Sequence, residues 1–145
     1  LPVVSEPSWA GLSPEEILER SSTLAVVGCS THTWKDAHEV PLVLQQLGFR
    51  IVPVHPSAPE ILGEPAYRSL ADVPDAIDTV VVFRPSRECA GVTAQAVDAG
   101  ARAVWLQLGL TSAAARTICA EAGIGFVEDA CTKVVARQAG IRKRR

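Results

Sequence analysis

The chain has no paired cysteine motif, no membrane-length apolar run and no marked excess of either charge, and each absence closes off a class of function. Its four cysteines, Cys29, Cys89, Cys119 and Cys131, are widely spaced and form no C-x-x-C pair. A zinc or thioredoxin-like site is therefore not expected, and three of the four read as small apolar residues in or beside regular elements. A net charge of −2 at pH 7 offers no global attraction to nucleic acid or to an acidic surface. The tail Arg142-Lys143-Arg144-Arg145 is the only basic run, and four terminal charges read as a solvated end. No apolar stretch approaches the roughly 20 residues that span a bilayer. The start, Leu1-Pro2-Val3-Val4, lacks the basic flank and apolar core of an export signal, so a soluble, cytoplasmic protein is expected. The absence of methionine carries no functional meaning. Nor do His32, His38 and His55 stand with a serine, cysteine and acid at a nucleophile-and-base spacing.

What the chain does have is alternation. Leu24-Ala25-Val26-Val27-Gly28-Cys29-Ser30 is a buried-strand pattern running into a glycine and then polar residues, with helical periodicity beyond. Ser13-Pro14-Glu15-Glu16 combines an N-cap, a proline and a capping-box glutamate, predicting a leading helix over Pro14 to Arg20. Val40, Val43, Leu44 and Leu47 predict a second helix, in which Pro41 is tolerable only near the first turn. Strands are expected at Phe49 to Val54, Asp78 to Phe83, Ala103 to Leu106 and Gly125 to Val127, with helices at Ser86 to Ala99, Ser112 to Ala122 and from Thr132.

With no internal repeat or low-complexity linker, 145 residues fit one core that buries roughly two thirds of the unfolded surface. The expected fold is α/β, a Rossmann-like three-layer sandwich on a five-stranded parallel sheet of order 3-2-1-4-5. The expected division is a helical extension over 1–22, the Rossmann-like domain over 23–140 and a basic tail over 141–145.

In such sheets ligands sit beyond the carboxyl ends of the strands at the switch point, placed here between strands 1 and 4. Those ends supply Gly28-Cys29-Ser30, His55-Pro56, Phe83-Arg84-Pro85, Gln107-Leu108-Gly109 and Glu128-Asp129. Gly28 lets backbone approach a phosphate, and Ser30 and Thr31 can add N–H and hydroxyl donors. A helix N-terminus near Cys29 would lower its thiol pKa. The dinucleotide fingerprint G-x-G-x-x-G is broken at Ser30 and Thr33, and His55 stands where an NAD site places a ribose-binding acid. An NAD-like cofactor therefore ranks second. His55 with Pro56 offers an uncharged or cationic edge to an adenosine, or simply stabilises a turn. Arg84 suits a ligand phosphate or amide, or a surface salt bridge.

The pieces VVGCS (26–30), GFRIVPVHP (48–56), ILGEPAYRSLADVP (61–74), VVVFRPS (80–86), WLQLGL (105–110) and DACTKV (129–134) occur in order over Leu24 to Gln138. In this they resemble the small CoA-binding proteins, which are similar to the CoA-binding domain of succinyl-CoA ligase α subunits and of ADP-forming acyl-CoA synthetases. The resemblance implies a Rossmann-like domain that binds CoA or acyl-CoA. It implies a phosphate role for Lys35, a place beside the pantetheine arm for Gln107 and Gly109, and site positions at Asp129 and Lys133. Asp129 and Lys133 are also spaced as an ordinary i,i+4 helical pair. His32, Trp34, His38 and His55 depart from the family pattern. The related ligases catalyse with a phosphohistidine and a nucleotide-grasp module for which this chain has no room, so binding without catalysis is expected. A small Rossmann enzyme or sensor using an NAD-like dinucleotide is the alternative, a protein partner is left open, and a nucleic-acid partner rests on the basic tail alone.

Overall fold

The computed structural model describes residues 7–144, so the readings of Leu1 to Val4 and of Arg145 lie outside the described residues. The first helix, α1 (Pro14–Arg20), begins with Ser13 Oγ accepting from Glu16 N at 3.1 Å while Glu16 Oε1 accepts from Ser13 N at 3.0 Å. Two otherwise orphaned donors are thereby satisfied. The backbone N–H of Ser13 also holds the Glu16 carboxyl below its ordinary pKa.

Five strands, β1 (Thr23–Val27), β2 (Arg50–Val54), β5 (Thr79–Val82), β6 (Ala103–Leu106) and β7 (Gly125–Val127), form one parallel sheet. A two-stranded antiparallel ribbon, β3 (Glu60–Ile61) and β4 (Glu64–Pro65), follows β2. The strand residues alternate between two cores. Leu24, Val26, Val81, Trp105 and Val127 pack on one face with α1, α2 (Asp36–Gln46) and α5 (Thr132–Gln138). Ala25, Val80, Val82, Val104 and Leu106 pack on the other with α3 (Ser86–Asp98) and α4 (Ala113–Ala122). The result is the expected Rossmann-like three-layer sandwich.

Within the sheet the strands run β2-β1-β5-β6-β7. Counting sheet strands alone along the chain, the order is 2-1-3-4-5, so the third strand lies beside the first instead of at the far edge of a 3-2-1-4-5 order. Two contacts hold it there. Asp78, just before β5, accepts from Ser22 N at 2.8 Å and Thr23 N at 2.9 Å, and Ser21 Oγ lies 2.8 Å from Thr79 Oγ1 in the buried interior. Pro53 explains why β2 takes the edge. Its carbonyl accepts from Tyr67 N at 3.0 Å, but its ring nitrogen has no proton for a further strand. The switch point consequently falls between β1 and β5, which brings Gly28 against Phe83.

Asp78→Ala would leave the Ser22 and Thr23 amides without their carboxylate acceptor, and a stability loss of about 2 kcal/mol is expected in urea titration. Asp78→Asn, which keeps an acceptor in place, should lose less. A wild-type urea midpoint for Asp78→Ala would contradict this account of strand order.

Two further expectations are corrected. Pro41 lies well inside α2, beyond its first turn. The helix accommodates it because the Ala37 carbonyl, which Pro41 cannot serve, accepts from Ser30 N at 3.0 Å. The tail is not a free solvated end through Lys143. Ile141 is buried, Lys143 N donates to Leu47 O at 2.7 Å, the Lys143 ammonium donates to Glu19 O, and the same group sits 5.4 Å from the Phe49 ring centroid. Gly48, at φ +98°, makes room, since a Cβ there would strike the Lys143 carbonyl. Among the described residues no helix is long and apolar enough to cross a membrane.

Candidate functional site

Two cavities lie along the carboxyl edge of the sheet and share one side chain, Arg84. The smaller, about 330 Å³, is bounded by Val27 and Gly28 at the end of β1, by Val54, His55 and Pro56 at the end of β2, and by Arg68, Arg84 and Glu88. The larger, about 580 Å³, is bounded by Lys35 and the start of α2, by Phe83, Arg84 and Pro85, by Gln107 and Leu108, and by Cys131, Lys133 and Val134. Of the residues expected at the site, Gly28, His55 and Pro56 line the smaller cavity, and Lys35, Phe83, Pro85, Gln107 and Lys133 line the larger. Cys29, Ser30, Thr31, Gly109 and Asp129 border neither.

Gly28 has φ +86°, and a Cβ on it would lie 2.5 Å from Phe83 O and 3.0 Å from Arg84 Cδ. The glycine is thus required first by the close approach of β1 to β5, where Phe83 N donates to Val27 O at 2.9 Å. Beyond it the loop is closed by its own bonds. Ser30 N is committed to Ala37 O, and Ser30 Oγ accepts from His32 N at 3.0 Å. The Ser30 N–H therefore serves the α2 carbonyl in this structure and is not offered to a ligand.

Cys29 does not have the lowered pKa that a nearby helix N-terminus would give it. The side chain is only 1 % exposed, and burial pushes the thiol up to about 12. The helix whose N-terminus was to lower that value starts at Asp36, one loop further on. At pH 8 the thiolate is then about one part in ten thousand. Iodoacetamide on native protein, read by mass spectrometry, should label the half-buried Cys131 well ahead of Cys29, Cys89 and Cys119, all of which are buried. Equal rates at Cys29 and Cys131 would contradict that packing.

His55 Nδ1 accepts from Ser57 N at 3.0 Å and Ala58 N at 2.8 Å, which builds the turn after β2. An accepting Nδ1 places the ring proton on Nε2, leaving that edge as a donor. Arg84 forks onto Glu88, with Nε at 3.2 Å and Nη2 at 3.0 Å from Oε1 and Nη2 at 3.0 Å from Oε2. Gln107 is buried, donating to Thr132 Oγ1 at 2.6 Å and accepting from Thr132 N at 3.2 Å, so it clamps the end of β6 to the start of α5.

Asp129 and Lys133 do not form the helical pair that their spacing allows. Asp129 precedes α5 in left-handed backbone, φ +55°, and its Oδ1 accepts from Gly109 N at 2.8 Å. Lys133 Nζ instead reaches Glu39 on α2 at 2.8 Å. Arg68 was missed by the sequence reading. Its placement depends on a pairing that the sequence does not show: His55 N donates to Tyr67 O at 2.8 Å, which ties Tyr67 to the end of β2 and carries Arg68 to the smaller cavity.

Comparison with known proteins identifies the family of the chain. A family model described as a CoA binding domain matches residues 22–137. The chain is 38 % identical over 131 residues to the uncharacterized protein YneT of Bacillus subtilis (strain 168), covering 90 % of this chain and 96 % of that protein. A solved structure of a hypothetical protein from Pyrococcus horikoshii OT3 superposes with a TM-score of 0.83 at 30 % identity, covering 94 % of this chain and 99 % of that one. The ADP-forming acetate–CoA ligase II of Archaeoglobus fulgidus is 32 % identical over 80 residues, which is 54 % of this chain and only 12 % of that enzyme. With a CoA-binding family model spanning most of its length and both cavities lying along the carboxyl edge of the matched sheet, the chain belongs to the CoA-binding domain family.

Proposed function

We propose that this protein binds CoA or an acyl-CoA in one extended site over the carboxyl edge of the sheet, and that it does so without transforming the ligand. The observation that carries the reading is a pair of neighbouring cavities that share Arg84 in their walls, an arrangement suited to the elongated, bipartite form of CoA. In this reading the adenosine occupies the smaller cavity, where His55 Nε2 and Arg68 provide donors and no acid ends β2. The diphosphate crosses between Gly28 and Arg84. The pantetheine arm enters the larger cavity, with Lys35 at its mouth.

Binding without chemistry is favoured by what surrounds the three histidines. His55 Nδ1 is engaged in its turn, His32 stacks on Trp34 with ring centroids 4.6 Å apart, and His38 lies within α2. Among the described residues none of the three rings hydrogen-bonds to a hydroxyl or a thiol, and burial disfavours the Cys29 thiolate.

Calorimetric titration of the purified chain with CoA, 3′-dephospho-CoA and NAD tests the reading. CoA should bind at micromolar strength, on the order of −8 kcal/mol, and at least tenfold more tightly than NAD. The dephosphorylated form should fall between them, and the CoA affinity should decline as salt rises. NAD binding as tight as CoA would overturn the proposal in favour of a dinucleotide site.

A further inference from the structure

We infer that the larger cavity is built for the hydrocarbon chain of an acyl-CoA thioester, so that the preferred ligand is a CoA ester with an apolar acyl group rather than free CoA. The inference rests on the proposed CoA reading and concerns the end of the site remote from the adenosine.

The chemistry of the cavity wall is the first argument. Three of its polar side chains already have partners within the protein: Gln107 with Thr132, Lys133 with Glu39, and Arg84 with Glu88. Lys35 and Asp36 are exposed. The remaining side-chain wall is Val40, Phe83, Leu108, Leu110 and Val134 with small residues between them, an apolar surface around about 580 Å³. The pantetheine amides can use the polar residues of this cavity, Lys35 and Arg84, but a bare thiol at the end of the arm would leave the apolar remainder of the wall against water, whereas an acyl chain would cover it.

The second argument is exposure. Leu108 is 71 % and Val134 is 43 % exposed, and these are two of the three large hydrophobic side chains that stand exposed among the described residues. Both line this one cavity. Single exposed hydrophobic side chains need no explanation, but two lining the same apolar cavity leave water against surface that a chain would cover.

Continuity supplies the third. Arg84 is shared between this cavity's wall and the proposed phosphate position, so an acyl group carried on the CoA arm is delivered to it. A free fatty acid or an apolar peptide would have no such tether.

The test is calorimetry on the full chain with CoA, acetyl-CoA and hexanoyl-CoA at several temperatures. Burying a methylene is worth about fourfold in affinity, so hexanoyl-CoA should bind at least tenfold more tightly than CoA, with a more negative heat-capacity change. In Val134→Asp, which changes an exposed position, the ratio of hexanoyl-CoA to CoA affinity measured on that same variant should fall below threefold. If CoA binds but hexanoyl-CoA gains less than tenfold, the acyl inference fails and the CoA reading stands. A gain that persists in Val134→Asp places the chain elsewhere and also overturns it. If neither compound binds, both readings fall.

Discussion

Gly28→Val is expected to lose stability by about 3 kcal/mol or more, and to lose CoA binding as a consequence of that damage. Two effects add. A β-branched residue at φ +86° sits in backbone that L side chains adopt only under strain, a cost of about 1–3 kcal/mol. Its Cβ would also fall 2.5 Å from Phe83 O, too close for any real contact, so the ends of β1 and β5 must separate. Urea unfolding should show a lowered midpoint for both variants, with a smaller shift for Gly28→Ala, which keeps the φ penalty and the Cβ clash but lacks the two γ methyls of valine. A wild-type midpoint for the valine variant would show that the strand ends tolerate a Cβ and that glycine is needed there for the ligand alone. The sequence reading attributed the glycine to phosphate approach; the structure places a protein carbonyl in the path first.

Arg84→Ala is expected to weaken CoA by about 2–3 kcal/mol, roughly 30- to 150-fold, through two changes of the same sign. The charge-assisted bonds to phosphate are lost, and the Glu88 carboxylate that Arg84 now neutralises at 3.0 Å is left facing the anionic ligand. Glu88→Ala should act in the opposite direction, releasing the guanidinium and tightening CoA severalfold. The pair is largely solvent-facing, so neither change should alter folding by more than about 0.5 kcal/mol. Calorimetry on both variants separates the roles. If Arg84→Ala retains full affinity, the arginine is only a surface ion-pair partner and the two cavities are not joined by a ligand.

Much of the fold was legible because local signals agreed with one another. The capping box at Ser13, the β-branched runs of β1 and β5, and the Ser112 and Gly123 ends of α4 all coincide with structural boundaries, Gly123 in left-handed backbone at φ +69°. The ribbon of β3 and β4 was not read, because two-residue strands have no periodicity and the turn between them uses Leu62 at φ +57° before Gly63. Strand order was misplaced where a side chain decides it. Asp78 looks like an ordinary strand-start acid until its carboxylate is seen bridging two amides of the neighbouring strand, whereas Pro53 was a readable sign that β2 belongs at an edge. Pro41 was misjudged for a related reason, since its tolerance depends on a long-range donor, Ser30 N, that spacing along a helix does not reveal.

At the site, residue types were easier to read than their partners. Arg84, His55, Gln107 and Lys133 do stand at the carboxyl edge, yet each is engaged by a neighbour that the strand-end pattern could not supply: Glu88, the Ser57 and Ala58 amides, Thr132 and Glu39. Cys29 failed for a plainer reason. Sequence placed it next to a helix start, but folding buries it against the sheet, and desolvation outweighs a dipole that begins a loop away.

The central claim is that one ligand spans both cavities through Arg84, and a titration of ¹⁵N-labelled protein with CoA, followed by amide chemical shifts, tests it most directly. The account predicts saturable shifts at Gly28, His55 and Arg84 together with Leu108 and Lys133, all with one dissociation constant. Shifts confined to the opposite end of the sheet, around Thr23, Arg50 and Gly125, or confined to one cavity with the other unperturbed, would contradict it.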